Sequence, residues 1–159
     1  MQIDLKIVDQ HEQLSKMSCI PMSVELVLKL LKLVPADYYA LQEYQIRNPY
    51  PDGSYFNNMT LFGITFQQKY DPNQRGLTFP MAELFQSMKD ELVGGHLLIV
   101  SLRESSPSDL PVFHNYVVFE QIGPLDFRAV SKSGKETIYE DKIRQRIELL
   151  QGTDILIYR

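Results

Sequence analysis

The segment IPMSVELVLKLLKLV, residues 20–34, is apolar at almost every position. Its charged residues, Glu25, Lys29 and Lys32, are spaced four and three positions apart, so a helix would carry them on one narrow stripe. The rest of that helix surface is apolar and has to be covered by other parts of the chain. The segment is also shorter than the roughly 18 residues that indicate a membrane span. It therefore predicts a central, mostly buried helix, with Pro21 in its first turn.

The first half of the chain is helical in its spacing of apolar residues. Turn-forming residues separate the helical stretches. The pattern of residues 59–69 is ambiguous. The remaining pattern predicts helices at 35–45 and 80–92, loops at 47–58 and 71–78, and a short strand or extended arm at 3–8.

The second half changes to an extended pattern after Gly94 and Gly95. Residues 112–122, VFHNYVVFEQI, are rich in aromatic and β-branched side chains and form the strongest predicted strand. Further strands are predicted at 97–102, 127–131, 136–140 and 154–159, with a short helix at 141–150. Because the helices come first and the strands follow, the sequence predicts an α+β fold with an antiparallel sheet.

Length and charge exclude several classes of protein. The 159 residues predict a single domain spanning 1–159. A net charge of -4 argues against non-specific nucleic-acid binding, which depends on lysine and arginine. The lone cysteine excludes an intrachain disulfide, and the N-terminus lacks the apolar core of a secretory signal. We therefore expect no nucleic-acid or membrane partner and a cytoplasmic location, or export by a non-Sec route; the oligomeric state stays open.

Cys19 is the candidate nucleophile, since it lies immediately before the predicted buried helix. Unpaired N–H groups and the helix dipole at that end stabilise a thiolate, which is the reactive form of cysteine. This position predicts a lowered thiol pKa. The alternative is that Cys19 is a small buried apolar residue, as free cysteines often are.

Two further residues could complete a thiol site. Gln13 lies six positions before Cys19, where its amide could donate a hydrogen bond to an oxyanion. His114 lies near the start of the strongest strand and could serve as the base that a cysteine nucleophile needs. The alternative for His114 is a satisfied core or edge histidine. His11 and His96 fit less well, because one lies in a polar segment and the other in a tight loop.

These residues resemble a known constellation. The stretch QLSKMSCIPMSVELVLKLL resembles the Gln-x5-Cys start and central helix of papain-like cysteine peptidases. HNYVVFEQI, ELVGGHLLIVSL and SKSGKETIYEDKIRQRI resemble the histidine strand and its flanking elements in the bacteriocin-processing (double-glycine leader) peptidase-like branch. The resemblance implies a papain-like α+β domain, in which a central helix carrying Cys19 packs on an antiparallel half-barrel carrying His114.

The chain departs from that family at two positions. Ile20 follows the cysteine where the family commonly has glycine, and Ser131 stands where it commonly has an aspartate. Ser131 is a poor imidazole orienter, because a neutral hydroxyl cannot stabilise an imidazolium as a carboxylate does. Asp126 is a possible substitute at the other end of the same strand. Asn115 is an unfavourable one, because adjacent strand residues point to opposite faces and it would point away from His114.

The resemblance implies hydrolysis of a peptide or isopeptide bond, with a peptide or protein substrate. Cys19 would attack the carbonyl, His114 would shuttle the proton, and Gln13 would hold the oxyanion, with Ser131 beside the imidazole. The same site could serve a deamidase or an acyl transferase. The main alternative is a catalytically weak or inactive papain-like module that binds a peptide or protein. A plain structural domain is a third.

No metal or cofactor is expected, since the scattered histidines and single cysteine lack metal-ligand spacing and no phosphate-binding glycine loop is present. Aromatic residues cluster at positions 38, 39, 44, 50, 55 and 56. They either pack in the core and its rim or line a substrate groove.

Overall fold

The computed structural model describes residues 2–48, 56–70, 79–103, 113–150, 153 and 155–159. Its helices are α1 (Leu5–Gln10), α2 (Cys19–Leu30), α3 (Ala40–Arg47), α4 (Met81–Val93) and α5 (Glu140–Leu150). Its strands are β1 (Met59–Leu61), β2 (Ile64–Gln68), β3 (Leu98–Arg103), β4 (Phe113–Gln121), β5 (Phe127–Ser131), β6 (Gly134–Ile138) and β7 (Ile155–Tyr158).

The described strands form one sheet in the order β1-β2-β7-β3-β4-β5-β6, and every neighbouring pair is antiparallel. The predicted α+β class with an antiparallel sheet is confirmed. The separation into a helical half and a sheet half is only partly correct, because β1 and β2 come from the first half. They pair through a turn in which Phe62 and Gly63 have φ values of 49° and 86°, the left-handed conformation that tight hairpin turns require.

Helix α2 is the buried helix that the sequence predicts. Every residue from Pro21 to Leu30 is buried. The helix ends four residues earlier than the apolar run suggests, because Lys32 adopts a left-handed φ of 59° and the Leu33 N–H turns back to the Leu28 carbonyl at 3.0 Å. This is the hydrogen-bonding pattern of a Schellman C-cap.

Two apolar layers cover the two faces of the sheet. Helix α2 packs on the α2 face, which we define by Ile99, Val117 and Val130. Helices α4 and α5 pack on the α4–α5 face, defined by Leu102, Tyr116 and Ala129 together with their neighbours Val100 and Val118. Each face buries an apolar layer, so strand residues on both sides are apolar.

Two predicted elements are wrong in detail. Residues 3–8 do not form a strand, because Asp4 accepts a hydrogen bond from the Lys6 N–H at 3.0 Å and starts α1, whose Val8 is buried in the core. The helix expected from Pro35 starts only at Ala40. The Tyr38 N–H donates to the Pro35 carbonyl at 3.1 Å, so this stretch forms a turn first.

The loop predicted at 71–78 lies outside the described residues, as does most of the loop at 47–58.

Candidate functional site

A cavity of about 550 Å³ opens at the N-terminal end of α2. This volume lies within the range of about 300–1,000 Å³ that is typical of ligand pockets. The structure thus places three of the four predicted site residues around one space. The residues that line this Cys19 cavity are Gln13, Leu14, Ser15, Lys16, Cys19, His114 and Lys132.

The sulfur of Cys19 has a direct partner that the sequence analysis set aside. Asn115 Nδ2 donates a hydrogen bond to Cys19 Sγ at 3.0 Å. Asn115 is only 3% exposed, and its Oδ1 accepts from Ser101 Oγ at 2.6 Å. The serine thereby fixes the amide so that its N–H points at the sulfur.

Strand alternation explains why Asn115 meets the sulfur. Strands β3 and β4 pair without interruption from Leu98↔Val118 to Arg103↔Phe113, so successive β4 side chains point to opposite faces. Asn115 shares its face with Val117, which packs against α2. His114 shares its face with Tyr116, which packs on the α4–α5 side. His114 is 7% exposed and borders the cavity from the end of the strand, and its role as base stays a prediction.

The predicted lowering of the Cys19 pKa is wrong for this environment. Burial raises the pKa of the thiol above its ordinary value, because the thiolate loses contact with water. The Asn115 hydrogen bond, the N–H groups of Cys19 and Ile20, and the charge of Lys132 oppose this effect without reversing it. The uncharged thiol is therefore the dominant form at neutral pH.

Gln13 uses its amide donor within its own segment. Its Nε2 donates to the Ser15 carbonyl at 2.5 Å, and its Oε1 is buried without a hydrogen-bond partner in the described part of the chain. The Nε2 group has a second N–H that this hydrogen bond does not use, and its oxyanion role stays a prediction.

Ser131 forms two hydrogen bonds with neighbouring residues of its own hairpin. Its hydroxyl donates to Glu136 Oε1 at 2.5 Å and accepts from the Ser133 N–H at 3.1 Å, so both hydrogen bonds stay within the β5–β6 hairpin. The Ser131 hydroxyl oxygen has a second lone pair that these two hydrogen bonds do not use. The expected placement of Ser131 beside the imidazole stays a prediction.

Asp126, the suggested substitute for the missing acid, has a different task. Its Oδ1 accepts from the Glu140 N–H at 2.9 Å and caps the start of α5. The position expected to carry an acid is instead followed by Lys132, which borders the Cys19 cavity from the β5–β6 turn.

The segment that carries Gln13 is held in place by Gln42 of α3, which is fully buried. Gln42 Oε1 accepts from the Leu14 N–H and from Ser18 Oγ, both at 2.8 Å, and its Nε2 donates to the Glu12 carbonyl at 2.9 Å. Three points of the segment that leads into Cys19 are thus fixed by one side chain.

The other two histidines have structural contacts. His96 Nδ1 lies 3.1 Å from Glu91 Oε2. Lys29 Nζ lies 2.9 Å from His11 Nδ1, and His11 Nε2 lies 2.8 Å from the Met22 carbonyl. An ammonium group only donates, so Nδ1 accepts and the proton of the neutral ring is on Nε2. Burial lowers the pKa of His11 to about 4.

No described residue of the aromatic cluster lines the Cys19 cavity, and Tyr44 is 49% exposed. Phe56 is buried in the core, Tyr38 packs edge-on against Phe62, and Tyr39 stacks on His11. Positions 50 and 55 lie outside the described residues.

No match was found when the chain was compared with protein-family models, with curated proteins and with solved structures. Within the described ranges no group of three or more histidine, cysteine or acidic side chains is arranged to hold a metal ion. No helix in those ranges combines the length and apolar character needed to cross a membrane.

Proposed function

We propose that this chain is a catalytically weak or inactive papain-like module that binds a peptide or protein segment in the Cys19 cavity. The observation that carries the proposal is the 3.0 Å hydrogen bond from the Asn115 amide to Cys19 Sγ. A papain-like architecture is supported by a buried helix that begins at the cysteine and packs across an antiparallel sheet.

The chemistry of the amide argues against rapid turnover. A general base must accept a proton from the thiol and return it to the leaving group. An asparagine amide in the observed orientation only donates toward the sulfur, and it does not titrate near neutral pH. Because burial also raises the thiol pKa, the fraction of nucleophilic thiolate at pH 7 is small.

The cavity walls favour binding of an extended peptide segment. Leu14, whose side chain is 44% exposed, offers apolar contact. The second N–H of Gln13 Nε2 and the Ser15 hydroxyl, which accepts from the Met17 N–H at 3.3 Å, offer polar groups for a peptide chain. The Gln42 hydrogen bonds hold this wall in one arrangement, so little ordering is needed on binding.

The test compares Asn115→His with His114→Ala and the wild-type protein. The rate at which iodoacetamide alkylates Cys19 is measured across pH, and labelling by a peptide chloromethyl ketone is followed in parallel. We expect the wild-type inflection to lie above the ordinary thiol value of about 8.5 and to be unchanged in His114→Ala. Asn115→His should lower the inflection, because an imidazolium beside the sulfur stabilises the thiolate. A wild-type inflection below 8.5 that is lost in His114→Ala would contradict the proposal.

The second candidate is a thiol hydrolase, deamidase or acyl transferase that uses Cys19, His114 and Gln13. It is favoured by one observation, that all three residues line the same cavity. It predicts a bell-shaped pH dependence of chloromethyl ketone labelling that depends on His114. Labelling that does not respond to His114→Ala eliminates this candidate.

A further inference from the structure

Among the described residues that line the Cys19 cavity, the two charged ones are lysines. Lys16 precedes α2, and Lys132 lies in the turn between β5 and β6, so the two approach the cavity from different parts of the chain. The described lining contains no acidic residue. This positive local field stands out in a chain whose net charge is -4.

Neither lysine forms an ion pair or hydrogen bond with a described residue, and both are exposed. Lys135, three residues after Lys132, is instead neutralised by Asp9 at 3.3 Å. The charges at the cavity are therefore available to a ligand.

Two observations concern the potential at the sulfur itself. The positive charge of Lys132 opposes the rise in the Cys19 pKa that burial causes. The N-terminal end of α2, a helix of 12 residues, also begins at this cavity. The unpaired N–H groups of a helix start carry a partial positive charge that favours anions.

We propose that the Cys19 cavity recognises a carboxylate on a peptide, from an aspartate or glutamate side chain, through Lys16 and Lys132. This inference rests on the proposed function, because it names the class of peptide that the module binds. Leu14 contacts the apolar part of the ligand, and the two ammonium groups flank its carboxylate. Such ion pairs at a partly enclosed site supply selectivity for charge.

The first experiment uses two reagents of nearly equal size that differ in charge, iodoacetate and iodoacetamide. Both alkylate the same thiolate of Cys19, with loss of iodide. A change in thiol pKa therefore cancels in the ratio of the iodoacetate rate to the iodoacetamide rate. We expect this ratio to be higher for Cys19 than for N-acetylcysteine amide, and to fall about two- to fivefold in Lys16→Gln and in Lys132→Gln. Raising the salt concentration should lower the wild-type ratio.

Lys89→Gln is the matched control, because it removes one positive charge from α4 on the opposite side of the sheet. Its ratio should equal the wild-type ratio. A ratio that is the same in Lys16→Gln, Lys132→Gln and Lys89→Gln would overturn the proposed anion recognition.

The second experiment identifies the source of the anion. N-acetyl-Ala-Glu-Ala-amide should slow alkylation of wild-type Cys19 by iodoacetamide, whereas the glutamine analogue should not. This protection should be lost in the double variant Lys16→Gln/Lys132→Gln. Protection by inorganic phosphate but not by the glutamate peptide would overturn the carboxylate assignment.

These outcomes are independent of the test of catalytic weakness. If Cys19 proves to be an efficient nucleophile that depends on His114, the proposed function fails while the lysine dependence of the reagent ratio still decides the ligand class. If the reagent ratio is unchanged in Lys16→Gln and Lys132→Gln, and labelling is unchanged in His114→Ala, only the carboxylate inference fails.

Discussion

Gln42 and Glu25 are joined by two hydrogen bonds of 2.8 Å, in which the backbone N–H and the side-chain Nε2 of Gln42 each donate to one carboxylate oxygen. Both residues are fully buried. Burial raises the pKa of Glu25, and the Gln42 donors act in the opposite direction because they stabilise the carboxylate. The same amide also bonds to Glu12, Leu14 and Ser18, in the segment that forms one wall of the Cys19 cavity. Gln42 therefore contacts both α2 and this wall.

Gln42→Leu should destabilise the protein and loosen the cavity wall. It leaves Glu25 Oε2 and the Leu14 N–H without their partner, although the backbone N–H of residue 42 still donates to Glu25 Oε1. Each orphaned group costs about 1–3 kcal/mol. We expect a loss of about 3 kcal/mol in the free energy of unfolding and faster hydrogen exchange at the Leu14 amide. Both are measurable by denaturant titration and exchange NMR.

Gln45→Leu is the control from the same helix. Gln45 is 2% exposed, and its Oε1 has no hydrogen-bond partner among the described residues. Its replacement should cost much less than the loss of Gln42. Equal destabilisation by the two variants would contradict the role given to Gln42.

The pH dependence of stability should carry a contribution from His11. Its pKa is lowered from 6.5 to about 4 by burial, with Lys29 adding to the effect and the Met22 carbonyl opposing it. Because the unfolded chain binds a proton more readily than the folded one between these values, stability from the neutral ring is present above pH 6.5. It is lost as the pH falls toward 4. The full effect is at most about 3 kcal/mol.

His11→Gln isolates this contribution from the acidic groups that titrate nearby. We expect the free energy of unfolding to fall less steeply between pH 6.5 and 4 in His11→Gln than in the wild type. Measurement at pH 8 gives the pH-independent cost of the substitution, which includes the stacking on Tyr39. Parallel curves for the two proteins over the acid range would rule out the assignment.

The fold was predictable where the pattern of apolar residues is long and regular. The buried helix and the strand around His114 both lie within a few residues of their predicted positions. The short helix α1 and the late start of α3 could not be predicted in this way. A single cap at Asp4 and a turn at Pro35 decide them, and such local contacts outweigh weak periodicity in short segments.

The site was predictable only as a neighbourhood. Gln13, Cys19 and His114 do line one cavity. The partner of the sulfur was missed because β4 is apolar on both faces, so its pattern does not reveal which face meets α2. Asn115 lies two positions before Val117, and recognition that Val117 packs on α2 would have identified it. The contacts of Glu25 and Lys29 depend on Gln42 and His11, which are distant in sequence.

Arg159 should stabilise the fold through a buried carboxylate. Its Nη2 and Nη1 donate to the two oxygens of Glu91 at 2.6 and 2.8 Å, and Glu91 is 6% exposed. These bonds lower the pKa of Glu91, so their stabilisation is present above its ordinary value of 4.5 and is lost as the pH falls through the lowered pKa. Arg159→Gln should reduce the free energy of unfolding at pH 7 by about 1–3 kcal/mol.

Arg128→Gln provides the comparison with an exposed ion pair. Arg128 lies 3.1 Å from Glu120, and both side chains are about half exposed. Exposed pairs contribute about 0–1 kcal/mol. The two variants remove the same group, so a loss from Arg159→Gln no larger than that from Arg128→Gln would show that burial of Glu91 adds nothing.

Ser101 should tune the reactivity of Cys19 through Asn115. Its hydroxyl holds Asn115 Oδ1 at 2.6 Å and so keeps Nδ2 directed at the sulfur. Because the Asn115 hydrogen bond lowers the thiol pKa against the effect of burial, loss of this bond should reduce the thiolate fraction. At pH 7.5 we expect Asn115→Ala to slow alkylation by iodoacetamide about three- to tenfold, and Ser101→Ala to slow it less.

Ser23→Ala is the matched control, because Ser23 Oγ donates to the Cys19 carbonyl at 2.9 Å and does not act on the sulfur. Its alkylation rate should equal that of the wild type, whereas a Ser101→Ala rate equal to that of Ser23→Ala would show that Asn115 keeps its orientation without the serine.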